Sequence, residues 1–399
     1  MSAATILGAT RVFDGERLLD GPHEVRIEEA RIAAIVPSPN PSDGVSTDFG
    51  GATILPGLVD AHVHLSFDAS PDISALARSD TPATAALRSA MNARRHLAAG
   101  VTAVRDLGSR DGIVVDVARA AGTALLPVAP TILAAGQVLT ITGGHGYFMG
   151  RELDGPEAFR QGARAEIKGG ARTIKVMATG GVITEQGAPG ATAMTPYELA
   201  AAVEEAHKAG LRVAAHAHGT EGIKNAIRAG VDTIEHVSYL DDEAIELFLE
   251  SDAWMVSTLI ASERLMPHLD DPAMPAHVRD KIRDHTSHEA ASLGRAVEAG
   301  VRIAAGTDAG TGYNPHGGLP EQISLLHREG MTPERALTAA TRDAARAIGL
   351  GEANGRLEVG RCADLLVVDG NPFADLTALG NVRAVYLEGR AVKTAETAA

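Results

Sequence analysis

The chain has 399 residues, 45% of them hydrophobic and 22% charged, enough for one large folded domain and a small one. A formal net charge of −15 argues against nucleic-acid or anionic-membrane partners, and no apolar run approaches the roughly 18 residues of a membrane span. Cys362 is the sole cysteine, so no intrachain disulfide can form and a reducing cytoplasm fits.

Residues 1–6 have no basic stretch and no long apolar run, and they read as lacking an export signal. Short alternating runs at 5–7, 11–13, 24–27 and 32–36 then predict strands, separated by turn residues that include Asp14-Gly15 and the proline-rich 37–41. From residue 58 onward, apolar strand-like runs alternate with helical periodicity, the pattern of successive βαβ units. Strands are expected over 58–64, 101–106, 128–134, 173–177, 212–216, 233–236, 254–258 and 302–308. Helices are expected over 83–99, 156–169, 196–210, 221–229 and 276–300. Thr195-Pro196-Tyr197-Glu198 reads as a helix start, with Thr at the N-cap, Pro at N1 and Glu at N3. The tail returns to strands at 364–368, 382–387 and around Val392, with Cys362 as inert packing beside them.

Eight such units over roughly 300 residues fit a (β/α)8 TIM barrel. A doubly wound open sheet is the alternative, although the first strand is not followed by the G-x-G-x-x-G of its dinucleotide-binding form. The expected organisation is a small β-sandwich domain assembled from both termini, 1–56 and 359–399, around a barrel spanning 57–358.

Chemistry enters at Asp60-Ala61-His62-Val63-His64. Side chains alternate across a strand, so His62 and His64 can face one metal ion together. In a barrel the C-terminal ends of all strands converge on one face. Polar residues at those ends are His62 and His64 on the first strand, Lys175 on the fourth, His216 on the fifth, His236 on the sixth and Asp308 on the eighth. Each singly could be structural: a histidine can close a strand on hydrogen bonds, and Asp308 can cap a turn. Lys175 sits inside the apolar run Ile174-Lys175-Val176-Met177, where an ammonium is expensive unless paired, deprotonated or modified. Six such residues on one face point to metal binding.

With these residues in place, the chain resembles the amidohydrolase superfamily over nearly its whole length. The opening Leu55-Pro56-Gly57-Leu58-Val59-Asp60-Ala61-His62-Val63-His64 and the closing segment 355–365 carry the likeness. Thr142-Gly143-Gly144-His145-Gly146, Lys175, His216-Ala217-His218-Gly219 and Glu235-His236 look most like the Xaa-Pro and Xaa-Arg dipeptidase group, with ochratoxinase-like and imidazolonepropionase-related proteins nearby.

That resemblance implies two divalent metal ions, zinc foremost. His62, His64 and Asp308 would hold one and His216 with His236 the other, bridged by Lys175 as N6-carboxylysine. It implies a hydroxide shared by the metals, with Asp308 as general acid/base, and a catalytic or substrate-binding His145. His218, Gly181 and His316 would contact the substrate, with His316 lining the mouth. Arg105, Arg110 and Arg151 are candidates for a substrate carboxylate, and loops 67–82, 136–155, 180–194 and 259–276 would set side-chain preference. His96, His207, His268, His277, His285, His288 and His327 fall on helical patterns or polar linkers and read as surface residues.

The implied activity is hydrolysis of an amide bond in a small-molecule substrate, a dipeptide or N-acyl amino acid, by a cytoplasmic metallopeptidase that forms homo-oligomers. The alternative is hydrolysis of cyclic amides, carbamates or phosphotriesters at the same binuclear site. A deaminase is disfavoured by Lys175, and a metal-free scaffold by the filling of all six positions.

Overall fold

The computed structural model describes residues 4–38 and 46–394. Residues 1–3 of the opening segment and 39–41 of the proline-rich turn lie outside the described residues.

Parallel strands run in order around a (β/α)8 barrel: Leu58–Val63, Val101–Asp106, a third position made of Thr131–Ala134 and Val138–Thr140, then Thr173–Met177, Arg212–Ala217, Thr233–His236, Trp254–Ser257 and Ile303–Ala305. Strands covered on both faces should read as near-continuous apolar runs, and Leu58–Val63, Val101–Asp106 and Thr173–Met177 are buried at every position. The third position holds the circle together from both sides. Thr131–Ala134 pairs with the second strand, while Leu139 pairs with Val176 of the fourth. Closure between the eighth strand and the first is made by the amide of Asp308 to the carbonyl of His62, 2.7 Å, and that of His64 to the carbonyl of Ala309, 2.9 Å.

Register places the chemistry at one level. Met177 lies opposite His216, and Ala217 lies opposite His236, so Lys175, His216 and His236 all stand within two residues of the C-terminal ends of three neighbouring strands.

Several expected boundaries shift by one or two residues, and two strands differ by more. The third strand begins at 131 and breaks after 134, with Gly136 in left-handed backbone (φ 77°). The eighth ends at Ala305, because the chain turns before Asp308, itself left-handed at φ 54°. The helices Pro156–Gly169, Pro196–Lys208 and Ala276–Ala299 form where the periodicity predicts. Thr195 and Glu198 make the reciprocal capping box.

Beside the barrel, strands from both ends of the chain interleave. Thr5–Ala9, His23–Glu28, Arg31–Pro37 and Thr47–Asp48 form one sheet; Arg11–Val12, Thr53–Pro56, Leu365–Val368, Val382–Leu387 and Arg390–Thr394 form another. Leu7, Val25 and Ile32 from the first meet Ile54, Leu365 and Val367 from the second in a single apolar cluster. Cys362 is half-buried there, its Sγ 3.3 Å from Asp364. Among the described residues no helix is long and apolar enough to cross a membrane.

Candidate metal centre

The first strand presents His62 and His64, and the turn after the eighth presents Asp308. Ligand atoms of the three lie within 4.8 Å of one another. His62 Nε2 is 3.2 Å and His64 Nε2 3.4 Å from Asp308 Oδ1. Each imidazole is tied back through its other nitrogen. His62 Nδ1 lies 2.8 Å from Glu235 Oε2, and His64 Nδ1 lies 3.1 Å from the carbonyl of Gly108. Such outer partners fix ring orientation and tautomer and leave Nε2 free to ligate.

Glu235 is itself held by Arg105, whose Nη2 donates to Oε1 at 2.9 Å, and by the Thr233 hydroxyl at 2.6 Å. Burial alone would raise the Glu235 carboxyl, but the Arg105 charge and the His62 hydrogen bond hold it at about 2.

The fifth and sixth strands present His216, His218 and His236, whose nitrogens form a second group within 4.8 Å. His236 Nδ1 lies 2.7 Å from the Thr258 hydroxyl and His218 Nδ1 2.8 Å from that of Ser238. His236 occupies the left-handed region at φ 72°. With Asp308 it makes two non-glycine residues at the site in backbone that costs about 1–3 kcal/mol each.

Lys175 is buried on the fourth strand, and burial lowers its ammonium to about 8. Glu235 and Asp308 act on it as charges.

The donor set fits divalent metal ions. Metals bind neutral imidazole and ionised carboxylate. Burial holds His64 at about 4 and pushes His216, His218 and His236 well below the usual histidine range. For Asp308, burial pushes upward, but the neighbouring His62, His64 and Lys175, with the hydrogen bond to His62, outweigh it and keep the carboxyl low.

A pocket of about 690 Å³, including its open mouth, rises from these residues, a size suited to a small molecule. One wall is apolar, with Phe67, Ile73, Phe148, Met149, Val182 and Leu265. Another part of the wall is polar, with Thr258, Ser262, His285 and Glu289. Glu289 accepts from the Ser262 hydroxyl at 2.5 Å, and burial, with Asp308 nearby, raises its carboxyl to about 7. His145 packs tilted against His216 with ring centroids 4.3 Å apart; among the described residues its buried Nδ1 has no hydrogen-bond partner, and burial lowers the imidazole to about 3.

The structure thus brings His62, His64, Lys175, His216, His236, Asp308, His145 and His218 to one pocket, and it moves several other residues away. His316 does not line the mouth: its Nδ1 lies 2.9 Å from His96 Nε2 and its Nε2 lies 3.0 Å from the Phe67 carbonyl, behind the pocket wall. Gly181 does not face the pocket interior but backs the His145 ring; a Cβ there would fall 2.4 Å from Cε1, so only glycine fits. None of the three candidate arginines lines the pocket. Arg105 is spent on Glu235, Arg110 on the carbonyls of Ala77 and Arg78, and Arg151 on Glu166. His96 and His285 are buried rather than on the surface, and His277 is half-buried with Nε2 on the Ile183 carbonyl.

The polar wall was not foreseen. His285 and Glu289 are four residues apart on Ala276–Ala299, and that spacing on one helix face was the available signal. All four expected loops contribute lining residues, and this helix is a fifth contributor.

Known proteins resemble this chain in sequence and fold. A profile of the amidohydrolase family matches residues 53–392. Ochratoxinase of Aspergillus niger is 33% identical over 364 residues, covering 83% of this chain and 73% of that protein. The structure of a Xaa-Pro dipeptidase with methionine bound in its active site matches with a TM-score of 0.91 at 30% identity, over 98% of this chain and 100% of that one. A prolidase complexed with N-methylphosphonate-L-proline matches at a TM-score of 0.88 and 31% identity, again over 98% and 100%.

Proposed function

The chain belongs to the amidohydrolase family, and from that premise we propose that it hydrolyses the amide bond of a dipeptide or N-acyl amino acid at a binuclear metal site. The observation that carries this reading is the convergence of His62, His64 and Asp308 with His216, His236 and Lys175 at the C-terminal mouth of the barrel. The dipeptidase and ochratoxinase relatives support the substrate class.

His62, His64 and Asp308 would hold one ion and His216 and His236 the other, with zinc the first candidate among metals that imidazole suits. His218 offers a further nitrogen beside the second group. Lys175 would bridge as a carbamate. Its neutral amine adds to CO₂, forming an N–C bond and releasing one proton, which turns a metal-repelling cation into an anion. A pKa of about 8 supports this by making the neutral amine accessible near physiological pH. When bound, the metals supply Lewis acidity and a water activated at neutral pH.

The side chains do the rest. Asp308 takes a proton from the attacking water and returns it to the leaving nitrogen as the C–N bond breaks and the C–O bond forms. Neutral His145 donates a hydrogen bond to the carbonyl oxygen as charge develops there. Glu235 holds His62 in orientation throughout. We also assign the interleaved terminal segments, 1–56 and 359–399, to a β domain that flanks the barrel of 57–358.

The test is a mass-spectrometric screen of metal-loaded protein against pooled dipeptides, N-acyl amino acids, lactams and carbamates. Release of a free C-terminal amino acid supports the proposal. One observation favours the second reading, a hydrolase of cyclic amides, carbamates or phosphotriesters: among the described residues no arginine lines the pocket to receive a free carboxylate. Ring opening with every dipeptide intact would establish it.

A further inference from the structure

The segment 180–194, after the fourth strand, roofs the pocket without joining a sheet; one isolated bridge, Thr179 to Thr192, closes its base. It carries an unusual share of the site's contacts. The Gly180 carbonyl lies 3.1 Å from His216 Nε2, and Gly181 backs the His145 ring. Val182 and Ile183 line the pocket. The Thr184 hydroxyl accepts from the amide of Gly146 at 3.0 Å, pinning the loop that bears His145.

Main-chain hydrogen bonds hold the ends of the segment, from the amide of Gly180 to the carbonyl of Ala191 at 2.9 Å and from that of Ala193 to the carbonyl of Ala178 at 2.9 Å, but among the described residues none involves 181–187, where side chains supply the anchors. Here one side chain supplies most of them. Lys281, on the helix Ala276–Ala299, donates to the carbonyls of Thr184 and Gly187, both at 2.6 Å, of Glu185 at 3.1 Å and of Gly181 at 3.3 Å. An ammonium has three protons, so four carbonyl dipoles of one turn share a single cation. His277, one turn earlier on the helix, adds Nε2 to the Ile183 carbonyl at 2.8 Å. Among the described residues no carboxylate forms an ion pair with Lys281, so its charge is committed to backbone.

We propose that Lys281 is a positioning residue: it clamps 180–187 over the pocket and, through Gly180 and Gly181, sets the imidazoles of His216 and His145. Its kinetic role rests on the hydrolase reading above; the clamp itself does not. The same helix carries His285 and Glu289 on the pocket's polar wall, so Lys281 also joins the roof to that wall as one unit.

The experiment compares full-length, metal-loaded wild type with Lys281→Ala and Lys281→Arg. Lys281→Ala, compared at matched metal content, should lose about 10- to 100-fold in kcat, as small misplacements of reacting groups do, and regain activity saturably with propylammonium, which refills both stem and charge. Lys281→Arg should retain an intermediate rate. Amide hydrogens of 181–187 should exchange faster in Lys281→Ala, and the imidazole nitrogen shifts of His145 and His216 should move. Wild-type kcat and KM in Lys281→Ala, or loss that propylammonium does not restore while metal content holds, overturns the proposal. If wild type turns over none of the substrates, the hydrolase reading falls separately. Exchange rates and imidazole shifts then decide the clamp, and unchanged values in Lys281→Ala overturn it.

Discussion

Oε2 of Glu235 lies 2.8 Å from Nδ1 of His62, and both side chains are fully buried. Arg105 takes the other carboxylate oxygen. A chain of three buried groups therefore runs from the barrel interior to the nitrogen that faces Asp308, and it fixes which nitrogen of His62 is free.

Breaking that chain at either end should have different results. Glu235→Gln keeps a hydrogen-bonding shape but loses the charge. Metal affinity should fall about 10- to 100-fold, measured by competition with a chromophoric chelator, while the fold persists. Arg105→Leu instead leaves the buried Glu235 carboxylate without its guanidinium partner. Stability should drop by about 3–5 kcal/mol, measured by denaturant unfolding. Unchanged metal affinity in Glu235→Gln would remove its orienting role.

Lys175→Ala should lose metal and most activity, because among the described residues Lys175 is the one lysine that lines the pocket and the variant has no amine there to form the carbamate. Short carboxylates such as formate, acetate or propionate should restore part of the activity, and the metal content should rise with it. Full metal occupancy in the variant without added carboxylate would exclude a bridging Lys175.

Asp308→Asn should fold and keep much of its metal while turnover falls about 10²- to 10⁴-fold, the usual contribution of a positioned acid/base. The left-handed backbone at φ 54° tolerates asparagine better than most residues, so lost activity can be separated from misfolding by circular dichroism. A rate near wild type would assign the proton to another group.

Stability of the metal-free protein should fall as pH drops from 7 to 4. Eight histidines, His64, His96, His145, His216, His218, His236, His285 and His316, have depressed pKa values, each chiefly through burial. A depressed histidine stays neutral in the fold while the unfolded chain takes up its proton below about 6.5, so protonation favours unfolding there. Four carboxyls, Asp60, Asp106, Glu289 and Asp364, are raised and act in the opposite sense. The histidines outnumber them. Thermal midpoints recorded against pH in chelator should decline through this window, and a flat or rising profile would contradict the assignment. Metal should steepen the decline, since protons compete for the same nitrogens.

Much of the fold was legible because the barrel strands are buried on both faces, and burial of that kind writes itself as short apolar runs at regular intervals. The second, fourth and sixth strands, Val101–Asp106, Thr173–Met177 and Thr233–His236, match the expected ranges residue for residue. The eighth did not, because Thr307 and Asp308 continue the apolar-to-polar pattern while the backbone has already turned. Periodicity cannot register a change of φ at a single residue.

The sequence by itself determined which residue types stand at the ends of the strands, and from that the six candidate ligands and the family. It did so because strand ends are local features, set by hydrophobic pattern and turn chemistry. Tertiary structure decided what surrounds them. Only the folded chain put Glu235 behind His62, withdrew Arg105, Arg110, Arg151 and His316 from the pocket, and brought His285, Glu289 and Lys281 in from a helix whose pattern looked like an ordinary solvated face. The placement of Lys281 depends on how the helix Ala276–Ala299 docks against the segment 180–194, nearly a hundred residues away in the chain. Contacts between segments so far apart come from packing and leave no periodic trace in either one.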